Sequence, residues 1–189
     1  MTNIDNYRTL VLAFVVAIGL VFASGCDSED PGDDAGESEL ITRVTLTLTP
    51  SGGGTALTAV ASDPDGDGAN LTIDNLTLAA GTTYNGTIQL LDGINNEDIT
   101  AEVEQESDAH QFWYTAEGGI ASRVTVAITD TDENSLPVGL EFTVTVSAGA
   151  AATGTLNVVL SHYDDVVKNG TTRSDESDID IDFPVTIAP

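Results

Sequence analysis

One stretch of the sequence decides the predicted fold: Asp178-Ile179-Asp180-Ile181-Asp182-Phe183-Pro184-Val185-Thr186-Ile187. Its apolar side chains stand at every second position, and its first half alternates them with acids. Successive side chains of a strand point to opposite faces, so this alternation predicts a strand with one face in a core and one in water. We expect an edge or solvent-facing strand on which Asp178, Asp180 and Asp182 point outward and deter aggregation.

The same alternation recurs along the chain from Leu40 onward. It is clearest in residues 44–48, 124–128, 142–146 and 156–160, and less regular in residues 71–78 and 84–91. Eight or nine short strands separated by glycine-rich turns favour a sandwich. The sequence therefore predicts an all-β fold over residues 40–189, a two-sheet antiparallel β-sandwich of the Ig-like or cadherin-like kind.

One segment departs from the alternation. Asn95, Asn96 and Asp98 suit the start of a helix, and acids stabilise its first turn. Ile99 and Val103 then have helical spacing. We predict one short helix over residues 97–109.

A loop of the calcium-binding pattern follows an early strand, and we call residues 63–74 the first acidic loop. Asp63, Asp65, Asp67 and Asp74 occupy its positions one, three, five and twelve, and Gly68 occupies position six. Ca²⁺ takes six to eight oxygen ligands, and a tight loop turns alternate carboxylates toward one centre. The pattern predicts a calcium site. The alternative is a plain acidic turn, since Asp, Pro and Gly are common in any turn.

A second acidic loop, residues 130–141, repeats this pattern less completely. Asp130, Asp132, Asn134 and Glu141 hold the ligand positions, and Ser135 replaces the glycine. We expect a second, weaker calcium site flanked by strands instead of the helices of an EF-hand.

The two histidines of the chain give a candidate transition-metal site. On the predicted elements, His110 shares a helix face with Glu106, and His162 shares a strand face with Asp164. Two imidazoles and a carboxylate suit zinc or iron. The alternative is a pair of histidines at the surface or in capping positions.

The charge of the chain excludes one class of partner. It has 189 residues, with 31 acidic against 5 basic and a net charge of −26. Nucleic-acid phosphates would be repelled, so we expect no nucleic-acid binding. Cation binding or a saline habitat accounts for such acidity.

The first 25 residues are typical of a lipoprotein signal peptide. Residues 10–22 are apolar but too few to span a bilayer, and Ala23-Ser24-Gly25-Cys26 resembles a bacterial lipobox. Cys26 is then acylated and holds the protein on the membrane. Residues 26–39 are acidic and lack apolar periodicity, which predicts a disordered tether. We expect an outer-membrane lipoprotein, facing the periplasm or the cell surface.

Five segments resemble one family: residues 41–50, 63–68, 83–88, 108–112 and 137–140. They are similar to an uncharacterised group of small Gram-negative lipoproteins of the Bacteroidota type, some of which carry the label "type 1 periplasmic binding fold". The resemblance covers nearly the whole predicted domain. It implies an envelope location, and it brings no activity or catalytic residue.

No hydrolase motif is present, neither Gly-x-Ser-x-Gly nor His-Glu-x-x-His. We therefore expect a non-enzymatic, lipid-anchored module of the cell envelope, calcium-stabilised, that binds a protein or glycan or serves a structural role. The alternative is a lipoprotein that captures a transition metal or nutrient for an outer-membrane transport receptor. A hydrolase with an unrecognised site is the third hypothesis. Ser161, His162, Asp164 and Asp165 are neighbours in sequence, but a catalytic triad needs them to meet with defined roles.

Overall fold

The structure is a computed structural model, and it describes residues 40–164 and 166–189. The predicted signal peptide, the lipidation site Cys26 and the tether of residues 26–39 lie outside the described residues. Those assignments therefore stay predictions.

Ten strands and one helix follow one another in the described part of the chain. They are β1 Arg43–Pro50, β2 Leu57–Ser62, β3 Thr72–Ile73, β4 Leu76–Ala79, β5 Thr83–Leu91, α1 Ile99–Gln105, β6 His110–Gly118, β7 Val124–Ile128, β8 Glu141–Val146, β9 Ala152–His162 and β10 Glu176–Ala188. Each of the clear alternating runs lies in a strand, as predicted, whereas the less regular run 71–78 is divided between β3 and β4.

The strands form two sheets, which confirms the predicted β-sandwich. One sheet has six strands in the order β3-β2-β1-β5-β8-β7, and the other has four in the order β4-β10-β9-β6. Every strand pairing is antiparallel except that of β4 with β10, which is parallel. The exception arises because the predicted strand 71–78 is split. Its β3 half pairs in the larger sheet, and its β4 half crosses to the smaller one.

The core is built from the inward faces of both sheets. Its largest fully buried side chains include Leu46, Leu48 and Phe142 from the larger sheet and Phe112 and Phe183 from the smaller one. Removing this apolar surface from water is the main favourable term in folding.

Strand β10 differs from its prediction in two ways. It lies between β4 and β9 and is not an edge strand. Asp180 and Asp182 do point to solvent, where both accept hydrogen bonds from the Asn157 amide. Asp178 does not, because the register jumps between Ser177 and Ile179. This β-bulge leaves Asp178 as an extra residue, and its side chain is only 2% exposed.

Helix α1 is shorter than predicted. The Asp98 side chain caps it by accepting a hydrogen bond from Thr100 N, and Ile99 and Val103 bury its apolar face. It ends at Gln105 with no basic residue in its last turn, where the helix dipole favours cations and Glu104 is unfavourable. His110 therefore starts strand β6 and does not lie on a helix, so the predicted helical face shared with Glu106 is wrong. Within residues 40–164 and 166–189, no helix has both the length and the apolar character needed to cross a bilayer.

Candidate functional site

The first acidic loop connects β2 to β3 and gathers three carboxylates. One oxygen from each of Asp63, Asp65 and Asp67 lies within 4.8 Å of the other two. The loop is fixed at its start because Asp63 N donates to the Thr42 carbonyl group at 2.9 Å. Gly68 turns the chain with a φ of +76°, a conformation that a side chain disfavours.

Asp63 is the buried member of this cluster. It is 8% exposed, and its Oδ2 accepts a hydrogen bond from Gly68 N at 2.6 Å. Its Oδ1 is buried and accepts no hydrogen bond from the described residues. Buried polar atoms in folded proteins almost always have a partner, so this oxygen marks a place for a cation or a donor.

Asp65 and Asp67 are exposed and retain free ligand capacity. Asp65 Oδ2 accepts from the Asn70 amide at 3.0 Å, and Asp67 Oδ1 accepts from Ala69 N at 2.8 Å. The structure does not bring Asp74 into this cluster, because its Oδ2 accepts from Val60 N on β2 at 3.1 Å. The twelfth-position ligand of the predicted loop is thus engaged with the neighbouring strand.

The second acidic loop uses its carboxylates internally. Both oxygens of Asp130 accept backbone hydrogen bonds, from Gly139 N at 2.8 Å and Leu140 N at 2.9 Å. Asp132 Oδ1 accepts from the backbone N–H groups of Asn134 and Leu136, both at 2.9 Å. Carboxylate oxygens that are engaged in this way are poor candidates for metal ligands.

The remaining oxygen of Asp132 forms an ion pair with a lysine side chain of the same chain. Lys168, the single lysine of the sequence, donates from Nζ to Asp132 Oδ2 at 2.9 Å and to the Ser107 carbonyl group at 2.6 Å. The side chains of this pair are 2% and 0% exposed. Burial acts to raise the pKa of Asp132, but the hydrogen bonds from Leu136 N–H and the Lys168 ammonium group hold it below its ordinary value.

The other two predicted ligands of the second acidic loop have different places. Asn134 donates its backbone N–H to Asp132, and Glu141 starts strand β8. Glu104, Glu133 and Glu141 line an open groove of about 510 Å³ together with parts of the loop. The predicted second calcium site is therefore not assembled as a cluster among the described residues.

A separate cluster lies at one end of the smaller sheet. His110 on β6 is paired with His162 on β9, and the β10 bulge brings Asp178 beside both. Ligand atoms of the three side chains lie within 4.8 Å of one another. The imidazole rings are stacked, with centroids 4.4 Å apart and planes inclined by 16°. The structure thus brings together the two predicted histidines, with a carboxylate that the sequence did not indicate.

Outer partners fix how each ring is protonated. His110 Nδ1 is 3.1 Å from the Glu106 carbonyl oxygen, which only accepts, so Nδ1 carries the proton. His162 Nε2 lies 2.8 Å from Asp164 Oδ1 and donates to that carboxylate. Burial lowers the pKa of His110, against the opposing effect of its bond to the Glu106 carbonyl group, and the neutral ring predominates near pH 7.

The sequence analysis did not identify two residues of these clusters, Asp178 and Lys168. Asp178 was assigned to the solvent face because its alternation with Ile179 is perfect, and only the bulge turns it inward. One feature of the sequence could have pointed to Lys168, because it is the only lysine in a chain of net charge −26. Ser161 and His162 are neighbours on β9 and point to opposite faces, so these two side chains do not meet as a triad requires.

Comparisons with known proteins find little. No family model matches the chain, and no curated protein matches it. One similar solved structure is the crystal structure of the S-layer protein SbsC domains 4 and 5. It shares 19% sequence identity and a TM-score of 0.31 over 72% of this chain and 66% of that chain. The chain thus spans just under two thirds of the solved chain.

Proposed function

We propose that this protein is a lipid-anchored binding or structural module of the cell envelope, whose β-sandwich is stabilised by Ca²⁺ at the first acidic loop. The observation that carries the calcium assignment is the Asp63–Asp65–Asp67 cluster, in which a buried Asp63 oxygen accepts no hydrogen bond from the described residues. A bound cation would both coordinate this oxygen and relieve the repulsion among three carboxylates.

The chemistry of the cluster favours calcium over other cations. Its ligands are all carboxylate oxygens, which hard cations prefer, and the loop offers further oxygens from its backbone. Two members are exposed, so water is able to complete a shell of six to eight ligands. The engagement of Asp74 with Val60 N makes the site more open than a full twelve-residue calcium loop.

Calcium binding at this loop would stabilise both the neighbouring strands and the compact state of the whole chain. The loop joins two strands of the larger sheet, and Asp63 N is bonded to Thr42 O next to β1. A cation would therefore lock three neighbouring strands at one end of the sheet. The net charge of −26 opposes the compact state, so a bound cation also reduces an unfavourable global term.

The test is the thermal unfolding of the purified full-length chain with and without Ca²⁺. Extracellular modules bind Ca²⁺ with a dissociation constant of about 10⁻⁴–10⁻³ M. At a hundredfold excess over that constant, linkage adds about 2.7 kcal/mol. At roughly 2–4 °C per kcal/mol for a domain of this size, we expect Tm to rise by about 5–10 °C.

Two controls separate binding from charge screening. NaCl at matched ionic strength should give a smaller rise than Ca²⁺. Asp65→Asn/Asp67→Asn should lose most of the calcium effect, whereas Asp180→Asn/Asp182→Asn makes the same charge change on the outer face of β10 and should keep it. An equal calcium effect in both double variants would refute the assignment to this loop.

The membrane anchor has its own test. Cys26 is the only cysteine, so Cys26→Ala removes the sole acylation site of the predicted lipobox. We expect the variant to move from the membrane fraction to the soluble fraction, because acyl chains contribute ~0.8 kcal/mol of membrane affinity per buried CH₂. Retention of the variant in carbonate-washed membranes would contradict anchoring at Cys26.

A further inference from the structure

The His110–His162–Asp178 cluster differs in chemistry from the first acidic loop. It combines two imidazoles with one carboxylate and is buried at the end of the smaller sheet. We propose that it is a transition-metal site, selective for Zn²⁺ over Ca²⁺, with Nε2 of His110, Nδ1 of His162 and the Asp178 carboxylate as ligands.

The protonation of the rings places the right atoms toward one centre. The Glu106 carbonyl group holds the His110 proton on Nδ1, which leaves a lone pair on Nε2. Asp164 holds the His162 proton on Nε2, which leaves a lone pair on Nδ1. These two nitrogens are the atoms that approach Asp178, each at 3.7 Å from one of its oxygens.

A cation is the species that stabilises this arrangement. Two nitrogen lone pairs and a carboxylate form an electron-rich group, and a metal ion interacts favourably with all three.

The outer partners match those of known metal centres. A metal-bound histidine usually donates its other N–H group to a carboxylate or a backbone carbonyl group, which fixes the tautomer. Asp164 and the Glu106 carbonyl group supply one of each. Both are positioning groups in this proposal, since neither contacts the metal.

The backbone has a device that serves this cluster. Without the bulge between Ser177 and Ile179, Asp178 would continue the outward row of Asp180 and Asp182. Bulges often re-aim a side chain at a functional site. Here the bulge brings a carboxylate to two histidines that the register already pairs.

Loading requires a small movement. Two ligands that each lie about 2.1 Å from one zinc ion are at most ~4.2 Å apart, and the ligand atoms here lie within 4.8 Å of one another. The stacked rings are nearly parallel, so one ring must turn about χ2 before both lone pairs converge. The χ2 torsion of histidine is broad, which allows such a turn.

The ligand set selects against calcium. Imidazole nitrogens suit zinc and its neighbours in the first transition row, whereas Ca²⁺ takes oxygens. With three protein ligands, zinc has a fourth position for water or another small ligand. The proposal is independent of the first acidic loop, and it holds whether or not that loop binds calcium.

The test measures Zn²⁺ affinity on the full-length chain after chelator treatment, by competition with a chromophoric chelator in excess Ca²⁺. We expect one tight Zn²⁺ site per chain that Ca²⁺ does not displace. Asp178→Asn should weaken it by at least about tenfold, and Asp164→Ala should weaken it by about 10–100-fold, as losses of outer partners do. Asp180→Asn is the matched control on the same strand and should leave the affinity unchanged.

Nitrogen-15 NMR of the histidine rings supplies a second readout. Zn²⁺ should shift His110 Nε2 and His162 Nδ1, the two proposed ligand atoms. In the metal-free chain, Asp164→Ala should let the His162 proton redistribute between its ring nitrogens, which a merely structural role of Asp164 does not predict. This readout also serves if Asp178→Asn fails to fold.

Two results would overturn the proposal. One is Zn²⁺ affinity that is the same in the unsubstituted chain, Asp164→Ala and Asp178→Asn. The other is the absence of any nitrogen-15 shift at His110 Nε2 and His162 Nδ1 on Zn²⁺ addition, while both rings still respond to pH. That result would identify the proton as the only cation of the cluster.

Discussion

The first and second acidic loops follow apolar strands, carry acids at positions one and three, and turn at position six with a positive φ. That φ is +76° at Gly68 and +63° at Ser135. In the second loop, the Lys168 ammonium group bonds to Asp132, and backbone N–H groups bond to the other carboxylate oxygens of Asp130 and Asp132. In the first loop, no Lys, Arg or His among the described residues forms an ion pair with an acid of the cluster.

The comparison shows what a ligand pattern alone leaves open. Similar spacing and similar turns produce one loop whose buried Asp132 is paired with a lysine and another whose buried Asp63 oxygen accepts no hydrogen bond from the described residues. The deciding group in the second loop lies 36 residues along the chain from Asp132. Which cation neutralises a loop is thus a property of the tertiary structure.

The largest expected effect comes from removing the internal cation. Lys168→Met should destabilise the fold by roughly 3–5 kcal/mol, because it leaves the buried Asp132 charge without its partner. At about 2–4 °C per kcal/mol, Tm should fall by on the order of 10 °C. Thermal unfolding of the full-length chain measures this.

A double variant tests the reason. Asp132→Asn/Lys168→Met should recover part of the loss, since the Asn carbonyl oxygen still accepts from Asn134 N–H and Leu136 N–H but carries no charge. A double variant that is no more stable than Lys168→Met alone would show that the unpaired Asp132 charge is not the cause of the loss.

The acid dependence of stability should reveal the same pair. Because the pKa of Asp132 is lower in the folded state, its contribution is fully present above the unfolded pKa of about 3.9 and is lost as the pH falls through the folded pKa. We therefore expect the unsubstituted chain to lose more free energy of unfolding than Asp132→Asn/Lys168→Met as the pH falls below about 4. Urea unfolding at several pH values gives this difference. A difference that is constant from neutral pH to pH 3 would contradict a native pair that titrates.

Much of the fold was predictable because alternation reports burial directly. The apolar rows of β1, β7, β8, β9 and β10 all lie where the sequence put them. The pairing of β10 was not predictable in the same way, since alternation shows which face is buried and not which strands lie on either side. The parallel pairing with β4 depends on a crossover between sheets, and short-range patterns do not encode it.

The candidate sites were predictable only as far as local sequence forms them. Asp63, Asp65 and Asp67 meet because only one residue separates successive members and Gly68 permits the turn. His110 and His162 were named, but they meet through the β6–β9 register, and Asp178 joins them through a bulge that breaks its own pattern. Long-range pairing and bulges are set by the whole sheet, so no single stretch predicts them.

The smallest expected effect concerns the residue at position six of each loop. Gly68 has open space where a Cβ would lie, yet its φ of +76° disfavours any side chain, so Gly68→Ala should destabilise the fold by about 1 kcal/mol. Gly52 has the same open space without a positive φ, and Gly52→Ala is the matched control, with a change of at most about 1 kcal/mol in the stabilising direction. Ser135 already takes the strained conformation, so Ser135→Gly should be neutral or stabilising by about 0.5 kcal/mol. The Tm values of Gly68→Ala, Gly52→Ala and Ser135→Gly, each compared with that of the unsubstituted chain, measure these changes in stability. Equal losses in Gly68→Ala and Gly52→Ala would mean that crowding or unfolded-state effects, and not the positive φ, set the stability change at position six. The shared positive φ of the two turns would then make no contribution to the stability of the fold.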